Sequence, residues 1–399
     1  ILSGLVGSEM CIRDRVTSEA VRQVKQSIRK TRRQNPDVEI VVTGCAAQID
    51  PEIFEHMAEV DHVIGNEEKL SPDIWSRLST ERVIVNDIMN IKETAPQMVA
   101  GFKGRFRAFA QIQQGCDHRC PFCIIPYGRG NRRSVPIGEI VKQFRLLIKN
   151  GYKEFVLTGV DITSYGPDLP GQPRLGTMIK RLLKNVEGIE RLRLSSVDPS
   201  EIDEDLLDLI ANEKRLMPSL HLSVQAGNDL ILKRMKRRHL RDDVIKLSTL
   251  LREIRPDIVL GADLIAGFPT ETEEMFKQTI DLISEAELLH LHIFPYSART
   301  GTPAAKMPQV TSNIKKMRAR LLREAGVELV AKHLSKRVGR IETVLLEQND
   351  TGYTDQFFPM KVYGNHQPGE IITAKVDNVM EDKTLVGSCL LYTSDAADE

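Results

Sequence analysis

The chain is poor in cysteine and tryptophan, has no long apolar run and carries no net charge. Only 6 of its 399 residues are cysteine and one is tryptophan. So few cysteines argue against a disulfide scaffold and favour a reducing compartment, in which cysteine serves metal binding or catalysis. No apolar run approaches the roughly 20 residues that a membrane helix needs, so no membrane partner is expected. With a formal net charge of +0, any nucleic-acid affinity has to come from local patches.

The two ends of the chain resemble translated sequencing-adapter sequence. LVGSEMCIRDR lies near the start and CLLYTSDAADE closes the chain. When both peptides are back-translated, the DNA of the first contains a segment that is the reverse complement of a segment in the DNA of the second. We therefore expect residues 1–15 and 388–399 to be artefacts outside the fold. Four cysteines then remain for chemistry: Cys45, Cys116, Cys120 and Cys123.

Hydrophobic patterning predicts an α/β protein whose first two domains precede a helical linker. A basic helix and the buried-type strand in VEIVVTGCAAQ predict an N-terminal α/β domain over 16–97, with Cys45 at a strand end, where α/β folds place chemistry. Over 98–308, six short β-rich runs alternate with helical segments. This pattern predicts an incomplete (β/α)6 parallel barrel whose active site lies at the carboxyl ends of the strands. A basic helical linker is expected over 309–334.

The tail over 335–387 changes to alternating apolar and polar residues. RIETVLLEQ, FFPMKVYG and EIITAKVDNVM have the period of half-buried strands. They predict a small antiparallel β-barrel. Since adapter-like sequence comes after Gly387, we expect this barrel to lose its last strand or part of it.

The stretch GCDHRCPFC, residues 115–123, places three cysteines within nine residues after the first barrel strand. Four thiolates would close a zinc site or saturate a cubane iron–sulfur cluster, whereas three leave one iron free to bind something else. A zinc knuckle completed by His118 or by a remote residue, and a disulfide, are the alternatives.

The CxxxCxxC spacing of this loop resembles that of the radical S-adenosylmethionine (SAM) enzymes. LTGVD and DLIAGFPTETEE resemble further sequence motifs of that family. The resemblance implies a 4Fe–4S cluster on Cys116, Cys120 and Cys123 whose open iron chelates SAM, and a 5′-deoxyadenosyl radical that removes hydrogen from a C–H bond. It also implies strand-end contacts to SAM from Thr158, Gly159, Ser195 and Gln225. LTGVD alone also fits a plain strand end, and DLIAGFPTETEE also fits a helix capping box.

The order of the three domains is similar to that of the methylthiotransferases, in which the tail is a TRAM-like barrel. In that family three cysteines of the N-terminal domain hold a second 4Fe–4S cluster, and the resemblance gives one such role to Cys45. The word VTSEAVRQ resembles the family's segment directly after its second cysteine, so that cysteine would fall within the adapter-like sequence. We therefore expect this polypeptide to bind one full cluster and cleave SAM, yet fail to methylthiolate.

Several phrases resemble the branch that modifies C2 of N6-threonylcarbamoyladenosine at position 37 of tRNA. They are CDHRCPFCIIPYGRGNRRS, TGVDITSYG, RLRLSSVDPSEI and HIFPYSARTGTPAAKMPQV. Two alternatives remain. One is a methylthiotransferase acting on a ribosomal-protein aspartate, and the other is an inactive RNA-binding fragment that lacks the lost N-terminal cysteines.

The tRNA anticodon loop is the expected partner, because RNA is read mainly at single-stranded bases by stacking and backbone charge. Tyr353 and Phe357 are candidate stacking residues, although each fits a barrel core equally well. The remaining partners are an electron donor such as a flavodoxin or ferredoxin and a sulfur source, and we expect a cytoplasmic monomer. The candidate RNA-binding residues, which also fit solvated surface positions, are Lys233, Arg237, Arg238, Lys361 and Lys375.

Overall fold

The computed structural model describes residues 18–71, 73–78, 80–92, 101 and 106–390. Of the adapter-like segments 1–15 and 388–399, all of the first and residues 391–399 of the second lie outside the described residues, as does most of the glycine- and proline-marked stretch APQMVAGFKG. Within the described ranges, no helix has both the length and the apolar character needed to cross a membrane.

The N-terminal domain is a three-stranded parallel sheet with short helices packed on it. Val42 and Val63 of the sheet are buried together with Ile28 and Phe54 of the helices, which gives this small domain its own core. Its elements are α1 (Ser18–Gln34), β1 (Val41–Thr43), α2 (Cys45–Ile49), α3 (Glu52–Glu55), β2 (His62–Ile64), α4 (Ile74–Arg77) and β3 (Val83–Ile84).

Six parallel strands alternating with helices form the central domain, as the sequence predicts. A short antiparallel pair, β5 with β6, comes after the first of them. The elements are β4 (Arg107–Gln111), β5 (Gln113–Gln114), α5 (Ile125–Arg129), β6 (Arg133–Ser134), α6 (Ile137–Lys149), β7 (Glu154–Thr158), α7 (Leu175–Asn185), β8 (Arg191–Leu194), α8 (Glu204–Asn212), β9 (Ser219–Gln225), α9 (Asp229–Arg234), α10 (Arg241–Ile254), β10 (Val259–Ala266), α11 (Glu273–Glu285) and β11 (Leu288–Pro295).

The central barrel is incomplete. Its strands form two three-stranded sheets, β4-β7-β8 and β9-β10-β11, joined by parallel bridges from Leu192 to Leu216 and from Val197 to Leu222. Among the described strands, β4 and β11 are not paired with each other. Closed barrels of this type have eight strands. The first and sixth strands therefore border an open seam, which confirms the expected incomplete barrel.

Side chains alternate between the two faces of each barrel strand, as the pleat requires. Leu220 and Leu222 of β9, for example, belong to the apolar core beneath the helices. His221, which lies between them, consequently faces the inside of the barrel. Arg107, Arg193 and other polar residues occupy equivalent inner positions, so the lumen of this barrel is polar.

The segment expected as a linker is the helix α12 (Ser312–Ser335), and it packs on the barrel. Ala319 and Leu322 are fully buried in the barrel core. At Gly326, an added Cβ would lie 2.7 Å from a methyl carbon of Leu291 on β11, so the helix touches the strand closely there. The helix α12 therefore covers the outer side of β11, the sixth barrel strand.

The C-terminal domain is a closed five-stranded barrel of order β12-β13-β14-β16-β15. Two details differ from expectation. The β14–β16 pair is parallel, and the last strand is present, because Ser388 and Cys389 pair with Lys375 and Ala374. The strands are β12 (Ile341–Leu346), β13 (Thr351–Thr354), β14 (Pro359–Tyr363), β15 (Ile371–Val379) and β16 (Leu385–Cys389).

A turn of the C-terminal barrel covers the amino-terminal end of the central barrel. Arg193 donates hydrogen bonds to the carbonyl oxygens of Thr354 and Asp355, both at 2.8 Å. Inside the lumen, Glu154 binds Arg191 at 3.0 Å and Arg193 at 2.9 Å. Because Glu154 and Arg191 are the first residues of their strands, this contact closes the end opposite to the cysteine loop.

Candidate metal centre

The three-cysteine loop leaves the carboxyl end of the first barrel strand, and a glycine fixes its start. Gly115 has φ +70°, and a Cβ there would lie 1.9 Å from the carbonyl oxygen of Asn131. The next residue, Cys116, donates its N–H to the Gly130 carbonyl at 3.1 Å. The loop is therefore held against residues 130–131 in a conformation that a side chain at position 115 would prevent.

All three loop cysteines are free, partly buried thiols. Burial raises the pKa of Cys123 to about 12, and it also raises the pKa of Cys116 and of Cys120. Each thiol therefore needs a cation to become a thiolate here. Three such sulfurs on one loop fit a soft metal or an iron–sulfur cluster.

His118, within the same loop, is tied to two carboxylates. Its Nε2 lies 3.1 Å from Asp161 Oδ2 and 3.7 Å from Glu201 Oε1. These hydrogen bonds raise the pKa of His118 to about 9, with Asp161 the largest cause. Ligand atoms of Cys116, His118 and Asp161 do lie within 4.8 Å of one another. However, His118 Nε2 already contacts Asp161, Glu201 and Arg238, the last at 3.0 Å, so a zinc knuckle completed by His118 fits this geometry poorly.

The N-terminal domain places Cys45 against the segment directly after the loop. Cys45 begins α2 and is 2% exposed, and Arg129 Nε donates to its Sγ at 3.1 Å. At Gly128, an added Cβ would lie 3.0 Å from Cys45 Cβ. Asn66 Nδ2 donates to the Gly128 carbonyl at 2.6 Å, which fastens the two domains together. A fourth thiol is thus packed beside the loop, on a different domain.

The four residues predicted to contact SAM all end barrel strands on the side of the cysteine loop. Thr158 is the last residue of β7, and Ser195 lies directly after β8 and donates its N–H to the Leu157 carbonyl at 2.9 Å. At Gly159, an added Cβ would lie 2.8 Å from the Gln113 carbonyl oxygen. Gln225 ends β9 with φ 75°.

A loop after β7 joins these strand ends to the cysteines. Val160 and Asp161 donate their N–H groups to Gln113 Oε1 at 3.0 and 2.8 Å. These hydrogen bonds anchor the LTGVD loop on β5. The Cys116 thiol lies 3.8 Å from Asp161 Oδ2. The predicted strand-end residues and the thiols therefore share one end of the lumen.

Two of the predicted RNA-binding residues, Arg237 and Arg238, form ion pairs with carboxylates near the cysteine loop. Arg237 has a 10% exposed side chain, and its Nη2 donates to Asp198 Oδ2 at 2.8 Å and to the Ser223 carbonyl at 2.7 Å. Arg238 binds Asp198 and Glu201. Burial raises the pKa of Cys120, and Arg237 partly offsets this rise. Arg237 therefore points inward to the cysteine loop, a direction that sequence periodicity alone does not predict.

The other predicted RNA contacts are divided between solvent and the interface of the two barrels. Lys233 and Lys375 are exposed, and Lys361 lies 3.3 Å from Asp350. The Tyr353 and Phe357 rings stack on each other with centroids 4.7 Å apart. The Arg107 and Arg193 guanidinium groups lie 4.7 and 5.0 Å from the Phe357 centroid. This aromatic pair is therefore engaged by the central barrel and does not offer free faces to RNA bases.

Family models match two parts of the chain. The radical SAM superfamily matches residues 111–283, and a family described as Uncharacterized protein family UPF0004 matches residues 11–65. Among solved structures, the radical SAM methyltransferase TsrM from Kitasatospora setae aligns with a TM-score of 0.53 at 18% identity. The alignment covers 71% of this chain and 60% of that one, and at this identity it shows a shared fold alone.

Two relatives resemble the chain over most of its length. The threonylcarbamoyladenosine tRNA methylthiotransferase MtaB of Rickettsia prowazekii is 51% identical over 380 residues, which are 95% of this chain and 90% of that protein. The MtaB protein of Aquifex aeolicus is 36% identical over 363 residues, 90% of this chain and 88% of that protein. Together with the three-cysteine loop and the incomplete barrel, these similarities show that the chain belongs to the MtaB family of radical SAM methylthiotransferases.

Proposed function

We propose that this protein adds a methylthio group to C2 of N6-threonylcarbamoyladenosine at position 37 of tRNA. The observation that carries this proposal is the loop of three free thiols at the strand ends, with the Cys45 thiol of another domain packed beside the same segment. The names of the most similar relatives supply the substrate.

Cys116, Cys120 and Cys123 would hold a 4Fe–4S cluster, and the iron without a protein ligand would bind SAM. The donor set fits such a group, because the three thiols are free and the nearest imidazole, His118, is held by carboxylates. When bound, the cluster and SAM supply a 5′-deoxyadenosyl radical that can remove hydrogen from an unactivated C–H bond.

The residues of this chain bind and orient the reactants. Thr158, Gly159, Ser195 and Gln225 would line the SAM site. Gln113 fixes the adjoining loop by accepting hydrogen bonds from Val160 and Asp161. Asp161 orients the His118 ring beside the loop through a contact of 3.1 Å.

Cys45 would be a ligand of a second 4Fe–4S cluster. Its sulfur accepts a hydrogen bond from Arg129 Nε at 3.1 Å in a buried setting. This hydrogen bond fixes the position of the Cys45 sulfur, and cysteine binds iron as the thiolate. The position of Cys45 against α5, the helix directly after the loop, would bring the second cluster close to the first.

The tRNA anticodon loop is the proposed macromolecular partner. Lys233, Lys361 and Lys375 remain candidates for phosphate contacts, because each is at least partly exposed. Reduction of the cluster requires an electron donor such as a flavodoxin or ferredoxin, and the reaction requires a sulfur source. We propose that the protein acts as a monomer in the cytoplasm, where its tRNA substrate is found.

Expression of the chain in a bacterium that lacks all of its own methylthiotransferases tests the proposal. The proposal sets aside the expectation that the missing N-terminal cysteines abolish methylthiolation, so nucleoside mass spectrometry of bulk tRNA should detect the methylthio derivative of N6-threonylcarbamoyladenosine. The Cys120→Ala variant should yield none, whereas Cys389→Ala, which removes a thiol of the C-terminal barrel, should match the unmodified chain. Methylthio groups found only on isopentenyladenosine or on a ribosomal protein would refute the proposed substrate.

A further inference from the structure

Three adjacent strands of the central barrel bring His221, Asp263 and His292 together on the inner face. The neighbours of these residues along β9, β10 and β11 belong to the apolar core beneath the helices, among them Leu222, Leu264 and Ile293. Because successive side chains point to opposite faces of a strand, the three polar residues face the lumen. None of them belongs to the cysteine site described above.

Asp263 binds both imidazole rings through one oxygen. His221 Nε2 and His292 Nδ1 each lie 3.1 Å from Asp263 Oδ1, and the ring centroids are 4.3 Å apart. Burial raises the pKa of Asp263, but the hydrogen bonds from the two histidines outweigh it and hold that pKa below the ordinary range. Asp263 is consequently an anion that orients two N–H donors.

His292 is the member of the cluster that can reach a ligand. Its side chain is 62% exposed, compared with 16% for His221. The His221 ring lies against the backbone, since its Nδ1 is 2.6 Å from where a Cβ of Gly261 would be. Because Nδ1 is directed at Asp263 and the side chain is 62% exposed, the edge of the His292 ring that includes Nε2 is available to a ligand.

An imidazole that is held by a carboxylate donates its second N–H to an acceptor. The hydrogen bond to Asp263 raises the pKa of His292, which favours the doubly protonated cation. The arginines at the base of the lumen are already bound by carboxylates. They are Arg107 with Glu347 at 2.7 Å, Arg191 with Glu154 at 3.0 Å, and Arg193 with Glu154 at 2.9 Å.

We propose that His292, positioned by Asp263 and His221, binds the threonyl carboxylate of the modified adenosine. This inference rests on the proposed function, because the threonylcarbamoyl group supplies an anion on a short flexible arm. Of the polar groups that an unmodified adenosine lacks, the carboxylate is the one that an imidazolium N–H binds most strongly. The His221–Asp263–His292 cluster would therefore select modified adenosine over its unmodified precursor.

Binding of anticodon stem-loop RNA to the full-length protein tests the proposal without requiring turnover. Two RNAs of one sequence are compared by fluorescence anisotropy, one with threonylcarbamoyladenosine at position 37 and one with adenosine. We expect the protein to bind the modified RNA about tenfold or more tightly, a typical contribution of one hydrogen bond to a charged group. His292→Phe should remove most of this preference and leave the affinity for the unmodified RNA unchanged.

Two further variants separate recognition from folding. Asp263→Asn keeps the size of the side chain and removes the charge that orients His292, so it should reduce the preference in the same direction. His56→Phe, at an exposed histidine of the N-terminal domain, should preserve it. Reductive cleavage of SAM without RNA should persist in His292→Phe, because the imidazole does not touch the thiols.

The contrary outcomes are distinct. Equal weakening of both RNAs by His292→Phe would assign this residue a structural role and overturn the inference. Stoichiometric Zn²⁺ binding that disappears in His292→Phe would overturn it in favour of a metal site, since the same three side chains could ligate a cation. An intact preference for the modified RNA without any methylthiolation would instead contradict the proposed function and leave this binding site standing.

Discussion

Among single residues, Gly115 has the strongest effect on the geometry of the cysteine loop. Replacement by alanine would place a methyl group 1.9 Å from the Asn131 carbonyl oxygen at φ +70°. We expect Gly115→Ala to displace the loop, so that iron and sulfide bound per chain after anaerobic reconstitution fall by half or more. Gly138→Ala is the matched control, because nothing lies within 4 Å of its Cβ position. Full cluster content in Gly115→Ala would contradict this geometry.

Glu154 is the second residue whose removal should have a large effect. It is 1% exposed and neutralises the buried Arg191 and Arg193 at the base of the lumen. Glu154→Gln leaves two buried guanidinium groups with one anionic partner fewer, which should lower the free energy of unfolding by ~3–5 kcal/mol. Urea denaturation followed by circular dichroism measures this loss.

The control for that measurement is Glu190→Gln. Glu190 and Lys153 lie 3.8 Å apart, with side chains 50% and 41% exposed. Exposed pairs contribute ~0–1 kcal/mol, so this variant should unfold at nearly the original urea concentration. Similar losses for the two variants would mean that the Glu154 network is no more important than a surface pair.

At the scale of elements, the helix α12 behaves as part of the barrel wall. Leu322→Ala removes a fully buried side chain and should destabilise the central barrel by ~2–5 kcal/mol, depending on how far the cavity collapses. Val327→Ala on the same helix changes a 55% exposed side chain and should have little effect. The shift in urea midpoint between the two variants tests whether α12 is a structural layer or a linker.

Much of this arrangement is predictable from local sequence, and the rest depends on tertiary packing. The loop cysteines are found from sequence because Cys116, Cys120 and Cys123 are neighbours along the chain. The inward direction of Arg237 is not, because Asp198, which binds it, lies 39 residues away. The role of α12 is hidden for a similar reason, since its buried Ala319 and Leu322 are interspersed with basic residues that read as a solvated face.

At the scale of the whole molecule, two histidines connect the barrels. His290 Nε2 contacts the Gln356 carbonyl oxygen at 3.0 Å, and the rings of His290 and His333 lie 4.8 and 5.4 Å from that of Phe358. Burial lowers the pKa of each histidine from 6.5 to about 4. Both are therefore neutral in the folded state near pH 7.

This neutrality predicts an acid-sensitive contact between the barrels. A histidine whose pKa is lower in the folded than in the unfolded chain contributes its full stability at pH values above the unfolded pKa. That contribution falls as the pH drops from about 6.5 towards about 4. Amide hydrogen exchange in the Thr354–Phe358 turn, corrected for the intrinsic pH dependence, should accelerate between pH 7 and pH 5. In His290→Gln, which cannot titrate, the acceleration should be smaller. Equal acceleration in both proteins would assign the sensitivity to other groups.

The turn of the C-terminal barrel that covers the base of the lumen also affects how ligands enter and leave the lumen. Because Arg193 is fastened to the backbone of this turn, the turn covers the amino-terminal end of the central barrel in the part of the chain that the structure describes. Access and departure are left to the strand ends beside the cysteines and to the seam between β4 and β11. A ligand that enters by the strand ends is therefore covered by whatever binds there after it, and it leaves either behind that molecule or through the seam.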